Sequence, residues 1–181
     1  MKRVILAVFG LLSVAAGAEA QSNQQTIERA LAPLMGRARE GAAVIRFNAD
    51  QSYTTLKEGT NAWVCYDRSG EPGRSAFAVQ CTNTGNLPRL QQNRRLEAAA
   101  ADRDALRASV ASADAAGDRV EAVYGSAWII MNGQDMASAS RHVTIAVPHA
   151  TTESTGLPDN GQAGGAWIMA AGTSEAHIMV P

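Results

Sequence analysis

Short hydrophobic runs separated by turn residues predict a sheet made of hairpins in the first half of the chain. Residues 42–47 and 53–56 are rich in β-branched and aromatic side chains and flank a polar turn at residues 48–51. This pattern predicts a β-hairpin. Residues 62–66 and 76–81 have the same character, so they predict a second pair of neighbouring strands.

Helical spacing of apolar residues occurs in two segments. A short N-terminal helix is predicted over residues 22–31. A long helix is predicted over about residues 87–115, because Pro88 is typical of a first helical turn and Gly117 of a helix end. Alanine dominates this long helix and contributes helix propensity more than packing area, so we expect the helix to rest on the surface of the domain.

The last third of the chain contains one strand, turn, strand pattern twice. In the first unit, a strand that opens at Trp128 is followed by a strand that begins near His142. Trp167 and His177 occupy the matching places in the second unit, and Trp63 opens an earlier strand in a similar context. The tryptophan strands are apolar on both faces, which is typical of central strands. Period-2 alternation places each histidine on the polar face of its strand.

Together these segments predict an α+β fold. We expect an antiparallel sheet of about six to eight strands built from hairpins, with a short N-terminal helix and one long inserted helix.

The first twenty residues have the features of a secretory signal peptide. A basic start is followed by an apolar run that is too short to cross a bilayer, and small residues end it at Ala20. Cleavage after Ala20 would leave residues 21–181 as a single α+β domain in the periplasm or outside the cell. No later segment is long and apolar enough to be a membrane span.

Composition and charge exclude several kinds of partner. The formal net charge is -1, and loss of Lys2, Arg3 and Glu19 with the signal peptide would bring it to -2. Such a charge does not attract nucleic acid, which needs a basic surface. The glycine motifs that bind phosphate groups are absent from the sequence, so no cofactor is expected.

Cys65 and Cys81 are the two cysteines of the chain. Because thiols are oxidised outside the cytoplasm, we expect a disulfide between them. The alternative is a catalytic thiol, which requires a neighbouring base and a free thiolate. The spacing of the two cysteines does not match a redox CxxC motif.

Two histidines and a carboxylate form a candidate metal site. His142 and His177 occupy matching places on the polar faces of their strands, and Glu175 precedes the second histidine closely. Two imidazoles and a carboxylate are a known ligand set for divalent metals. The alternative is a pair of surface or hydrogen-bonded histidines, since no short HxH or HxxxH spacing is present.

The loop at residues 150–165 is a candidate binding element. Its glycines, proline and polar residues predict a lack of regular structure, and His149 stands at its start. The alternative is a mobile connector. A hydrolytic trio of Ser138 or Ser140 with Asp135 and His149 is a further alternative, but the Gly-x-Ser-x-Gly elbow of such enzymes is absent.

Several of these motifs resemble those of a group of uncharacterised secreted bacterial proteins. They are Gly59-Thr60-Asn61-Ala62-Trp63-Val64-Cys65, Trp128 with Met131 and Gly133, His142-Val143, and the ending Ala176-His177-Ile178-Met179-Val180-Pro181. The resemblance implies export and a shared fold. It implies no activity and no catalytic residue.

The sequence thus favours a non-enzymatic exported domain that binds a small ligand or a protein of the cell envelope. Its expected binding surface contains Trp63, Trp128, Trp167 and His149. The alternative is a metal-dependent or hydrolytic enzyme that uses His142 and His177.

Overall fold

The computed structural model describes residues 21–181, which form an α+β fold with an eight-stranded, mostly antiparallel sheet. The predicted signal peptide lies outside the described residues. The strands are β1 (Ala43–Phe47), β2 (Tyr53–Lys57), β3 (Trp63–Asp67), β4 (Phe77–Asn83), β5 (Ala127–Gly133), β6 (Ser140–Ala146), β7 (Trp167–Met169) and β8 (His177–Val180). The helices are α1 (described over residues 21–30), α2 (Gly36–Gly41), α3 (Leu87–Ala99), α4 (Arg103–Ala116) and α5 (Thr152–Thr155).

The strands follow the order β2-β1-β3-β4-β5-β6-β8-β7. All four predicted hairpins are present, as the pairs β1–β2, β3–β4, β5–β6 and β7–β8. One pair was not predicted: β1 and β3 are parallel, because the chain leaves β2 and crosses the start of β1 before it enters β3. Gly59 permits this crossing, since a Cβ at that position would lie 2.6 Å from the backbone nitrogen of Ala43.

The predicted disulfide is confirmed. Cys65 on β3 lies directly opposite Cys81 on β4, and their sulfur atoms are bonded. Both residues are fully buried, and they pack beneath Ala30 and Leu31 of the N-terminal segment. The disulfide therefore lies in the core and joins the two strands at the middle of the sheet.

The sheet has two covered faces. On the first face, α1 and α2 pack over Val44 and the disulfide. On the second face, Leu90 of α3 packs over Ile45, Val64 and Tyr66. Burial on both faces explains why β3 and β4 are apolar throughout, as the sequence pattern indicated for central strands. β7 departs from that expectation, because it is an edge strand.

The predicted single long helix is wrong in one respect, because the segment forms two helices. α3 ends at Ala99 and α4 begins at Arg103. Asp102 adopts an extended conformation and its side chain accepts a hydrogen bond from the backbone N–H of Ala105, which is the contact that begins a new helix. Gly117 ends α4 with a positive φ, as predicted.

The loop at residues 150–165 is more regular than its composition indicates. It contains the one-turn helix α5, which a capping box between Thr151 and Ser154 closes at its N-terminus. The loop packs Leu157 and Ala150 against Ile168 on the first face of the sheet. The N–H of Ile168 donates to the carbonyl of Pro158, so the loop also covers part of the free edge of β7. Within the described residues, no helix has the length and apolar character needed to cross a membrane.

Candidate functional site

A cleft with two adjoining compartments opens between the helices α3 and α4 and the second face of the sheet. The larger compartment has a volume of about 400 Å³ and the smaller one about 210 Å³. Asn93 and Glu175 line both compartments, so the two adjoin. Residues of the larger compartment include Leu106, Val110, Asp114 and Ala170, and those of the smaller one include Arg89, Trp128, Thr144 and His177.

Helix α4 forms one wall of the larger compartment. It has an apolar side but no fully buried residue, because Leu106 and Val110 face the cleft instead of a packed core. Asp114 on the same helix accepts a hydrogen bond from the backbone N–H of Ser174, with 3.3 Å between Oδ2 and N. This contact joins α4 to the turn before β8 across the cleft.

Two buried arginines lie behind the smaller compartment. Arg89 is 4% exposed and Arg119 is 7% exposed. Arg89 donates from Nη1 to the carbonyl of Val120 at 2.6 Å. Arg119 donates from Nη1 to Gln92 Oε1 at 2.8 Å and from Nη2 to Asn93 Oδ1 at 3.0 Å. The bonds of Arg119 fix its guanidinium against α3, and the bond of Arg89 joins α3 to the segment after α4.

Both arginines share the carboxylate of Glu175. Its Oε1 atom lies 3.0 Å from Nη2 of Arg119 and 3.5 Å from Nη2 of Arg89. Burial, followed by the nearby positive charge of Arg119, lowers the pKa of Arg89 from its ordinary value. Two guanidinium groups therefore meet one carboxylate, and that carboxylate is 45% exposed in its side chain.

His177 and Trp128 complete the smaller compartment. The Nδ1 atom of His177 lies 2.7 Å from the carbonyl oxygen of Glu175, and since a carbonyl can only accept, Nδ1 donates there and Nε2 is left for other contacts. Trp128 lies on β5 opposite Thr144 of β6, and both side chains line the compartment. The compartment thus combines an indole wall with a hydroxyl, an imidazole and a guanidinium.

The structure does not assemble the predicted metal site. His142 and His177 do share the second face, but the register pairs His177 with Ala146, four residues along β6 from His142. At about 3.3 Å per residue, the two histidines are roughly 13 Å apart along the strand, which is too far to share one ion. Glu175 is held by the arginines, and residues 21–181 contain no group of three metal-ligating side chains.

The three tryptophans do not form one surface. Trp63 packs on the first face beneath α1, whereas Trp128 packs on the second face. Trp167 shares the second face with Trp128, since the cross-strand pairs connect it through Met179 and Thr144. Three strand spacings separate the two rings, or roughly 14 Å. Of the predicted binding surface, only Trp128 lines the cleft.

His149 lies outside both compartments, in the connection that follows β6. It has a positive φ of 61°, and its Nε2 atom lies 2.5 Å from Glu121 Oε1. Asp135 and Ser138 hydrogen-bond to each other in the turn between β5 and β6, at the other end of β6. The structure therefore does not bring Asp135, Ser138 or Ser140 to His149.

Most residues of the cleft were not predicted from the sequence. Arg89 and Arg119 come from the start of α3 and from the segment after α4, and they meet a turn that is more than fifty residues away. The sequence offered one local signal, the position of Arg89 directly after the helix-opening Pro88. Arginine is rarely buried, so this position alone does not predict that Arg89 lies inside the protein. The alanine content of α4 predicted a surface helix. The cleft beneath it depends on how α4 folds back on the rest of the domain, which composition does not indicate.

Comparison with known proteins found no matching family, no similar curated protein and no similar solved structure. The resemblance to secreted bacterial proteins therefore stays a prediction, and the function is argued from the geometry of the cleft.

Proposed function

We propose that this protein is an exported, non-enzymatic domain that binds a small molecule in the cleft beneath α4. The observation that carries the proposal is the unfilled apolar side of α4, where Leu106 and Val110 face a cavity instead of a core. Apolar side chains next to a few fixed polar groups are typical of small-molecule sites, and the volume of about 400 Å³ is in the usual range for them.

Backbone strain at the edge of the cleft supports this assignment. Ala170 lines the larger compartment with a φ of 55°, a conformation that L-residues rarely adopt. Strained residues of this kind persist where the surrounding structure holds them and are concentrated at binding sites. The turn is held by Thr173, whose hydroxyl and N–H both donate to the carbonyl of Ala170.

The geometry gives less support to an enzyme. The proposed catalytic pair of His142 and His177 is separated by four residues along β6, and a reaction needs its catalytic groups within hydrogen-bonding distance of one site. Export is proposed on two grounds, namely the signal-peptide features of residues 1–20 and the core disulfide between Cys65 and Cys81, a bond that persists in oxidising compartments.

A thermal-shift screen against small metabolites tests the proposal when it is combined with a variant that fills the cleft. A ligand of the native state raises the unfolding temperature by mass action. Val110→Trp places a large ring in the larger compartment and should abolish the shift. Ser112→Trp, on the exposed side of the same helix, is the matched control and should retain it.

Two results would count against the proposal. One is a screen in which no compound raises the unfolding temperature of the wild-type protein. The other is a ligand whose shift is the same in the Val110→Trp and Ser112→Trp proteins, because that ligand would bind elsewhere.

A further inference from the structure

We infer that the smaller compartment binds the carboxylate of a small organic acid whose apolar body extends into the larger compartment. The inference rests on the proposed function and specifies the ligand class for the same cleft. It is carried by three features of the site: the hydrogen bonding of Arg89, the neutral donors beside it, and the division of the cleft into a polar and a more apolar part.

Arg89 is a buried cation whose donors are incompletely used. Only its bond to the carbonyl of Val120 is short, at 2.6 Å. Its contacts to Ser174 Oγ, Ser174 O and Glu175 Oε1 are long, at 3.5, 3.4 and 3.5 Å. A buried guanidinium is strongly stabilised by a well-placed carboxylate, which accepts two parallel hydrogen bonds from it. Since Arg89 lines the smaller compartment, a ligand can supply that carboxylate.

Neither arginine has a carboxylate to itself. Arg89 and Arg119 share only the carboxylate of Glu175, and Nε of Arg119 is buried without a hydrogen-bond partner among the described residues. The negative charges of Asp114 and Glu121 also act on Arg89, but neither carboxylate contacts its guanidinium. Asp114 accepts from the N–H of Ser174, and Glu121 pairs with His149.

Two neutral donors lie beside Arg89. Asn93 accepts from Arg119 through its Oδ1 atom, so its NH₂ group is left to donate to the cleft that it lines. Thr144 adds a hydroxyl on the opposite wall. Together with Arg89 these groups match the acceptor oxygens of a carboxylate, which has no proton to donate at neutral pH.

The larger compartment determines the other end of the ligand. Helix α4 contributes the apolar side chains of Leu106, Val110 and Ala111 to its wall, together with Arg107 and Asp114. Glu97, which also lines it, is already paired with Arg68 and Arg74. Asn93 and Glu175 lie where the two compartments adjoin. A molecule with one carboxylate and an aliphatic or aromatic body therefore fits both parts at once.

Isothermal titration with three probes that share one apolar body tests the ligand class. The probes are octanoate, 1-octanol and octylammonium, titrated into the protein purified after expression of the full chain. We expect octanoate to bind at least about tenfold more tightly than the other two, because only it gains charge-assisted hydrogen bonds from Arg89. The result that overturns the inference is octanol or octylammonium binding as tightly as octanoate.

A pair of matched variants tests the site. Asn93→Asp keeps the acceptor for Arg119 but replaces the NH₂ donor with a negative charge inside the cleft, so it should weaken octanoate binding about tenfold or more. Gln92→Glu makes the same change of charge beside the same arginine, but outside the lining of both compartments, and should have a much smaller effect. Equal losses in the two variants would overturn the assignment of the site.

Arg89→Gln supplies a direct test and should remove the preference for octanoate over octanol. If this variant fails to fold, Asn93→Asp and the isosteric Thr144→Val keep the inference testable. The outcomes also separate the two proposals. If none of the three probes binds while another compound binds and is blocked by Val110→Trp, the acid class is wrong and the proposed function stands.

Discussion

The backbone N–H of Ser174 donates to Oδ2 of Asp114 across 3.3 Å, and this bond connects α4 to the sheet side of the cleft. Because α4 buries none of its residues fully, polar contacts of this kind contribute much of what holds it in place. The position of the cleft wall is therefore sensitive to the ionisation of one carboxylate.

That sensitivity predicts a dependence on pH. Hydrogen bonding by Ser174, through its hydroxyl and then its N–H, holds the pKa of Asp114 below its ordinary value of 3.8. A carboxyl whose pKa is lower in the folded state stabilises the fold above its unfolded pKa, and this contribution is lost as the pH falls through the folded pKa. Asp114→Asn should therefore lose less stability than the wild type below about pH 4.

Urea unfolding between neutral and acidic pH measures this difference. Asp50 and Asp135 also have pKa values lowered by hydrogen bonds, from Ser52 and Ser138, so the wild-type curve contains several contributions. The comparison is therefore between variants, with Asp104→Asn as a control for the removal of a charge from α4. Parallel curves for the wild type and Asp114→Asn would contradict the prediction.

The disulfide is expected to contribute strongly to stability. A cross-link over sixteen residues constrains the unfolded chain, and its loss should lower the free energy of unfolding by roughly 3 kcal/mol. Urea unfolding of the reduced protein and of the double variant Cys65→Ala, Cys81→Ala should show this loss. Thiol titration of the unreduced, denatured protein should find no free thiol, and two titratable thiols would refute the pairing.

Glu97 is predicted to be the main acidic residue that attaches α3 to the turn after β3. It accepts from Arg68 and Arg74, both at 2.6 Å, and the Arg68 side chain is only 10% exposed. Glu97→Gln should therefore cost about 1–3 kcal/mol, because it weakens two hydrogen bonds between charged groups, while Arg68 keeps its contact to Glu71.

The matched control is an ion pair on the solvent side of α4. Asp104 and Arg107 are 88% and 70% exposed in their side chains, so Asp104→Asn should change stability by less than about 1 kcal/mol. Chemical denaturation of both variants tests the contrast. Similar losses would mean that the cluster at Glu97 is as weak as an exposed pair.

Two glycines with open space around them test the effect of backbone conformation without any effect of crowding. Gly172 has a φ of 80° in the turn between β7 and β8, whereas Gly165 has no such conformation, and neither would bring a Cβ within 4 Å of another group. Gly172→Ala should cost about 1–2 kcal/mol, because an L-residue is strained there. Gly165→Ala should be neutral or stabilise by about 0.4–1 kcal/mol through the unfolded state. The unfolding temperature should therefore fall for Gly172→Ala and stay the same or rise for Gly165→Ala. Equal shifts in the two variants would contradict this account.

The sequence was informative about the sheet because strands carry local signals. The run that ends at Phe47 indicated a strand, the polar residues after it indicated a turn, and the two cysteines indicated a disulfide. The four hairpins needed only segments that are neighbours in the chain. The break between α3 and α4 was missed because alanine favours a helix on both sides of Asp102, whose role as a cap depends on a single hydrogen bond.

The cleft was less predictable, because its residues meet only after the helices fold back. Arg89 and Ser174 are 85 residues apart in the chain. His177 was predicted as a metal ligand together with His142, which the strand register separates from it, and it lines the smaller compartment instead. A period-2 pattern assigns a residue to a face, whereas its position along the strand depends on a register that the pattern does not contain.

The position of β8 between β6 and β7 connects the cleft to the integrity of the sheet. The β7–β8 hairpin is attached to the remaining strands only through β8, and the residues before and within β8 include Ser174, Glu175 and His177. If this hairpin opened as a local unit, the seven-residue strand β6 would present an unpaired edge in the same event that dismantled the smaller compartment. A ligand that holds Arg89 and the hairpin together would then also protect the protein against strand exchange between copies, so that occupancy and resistance to aggregation rise together.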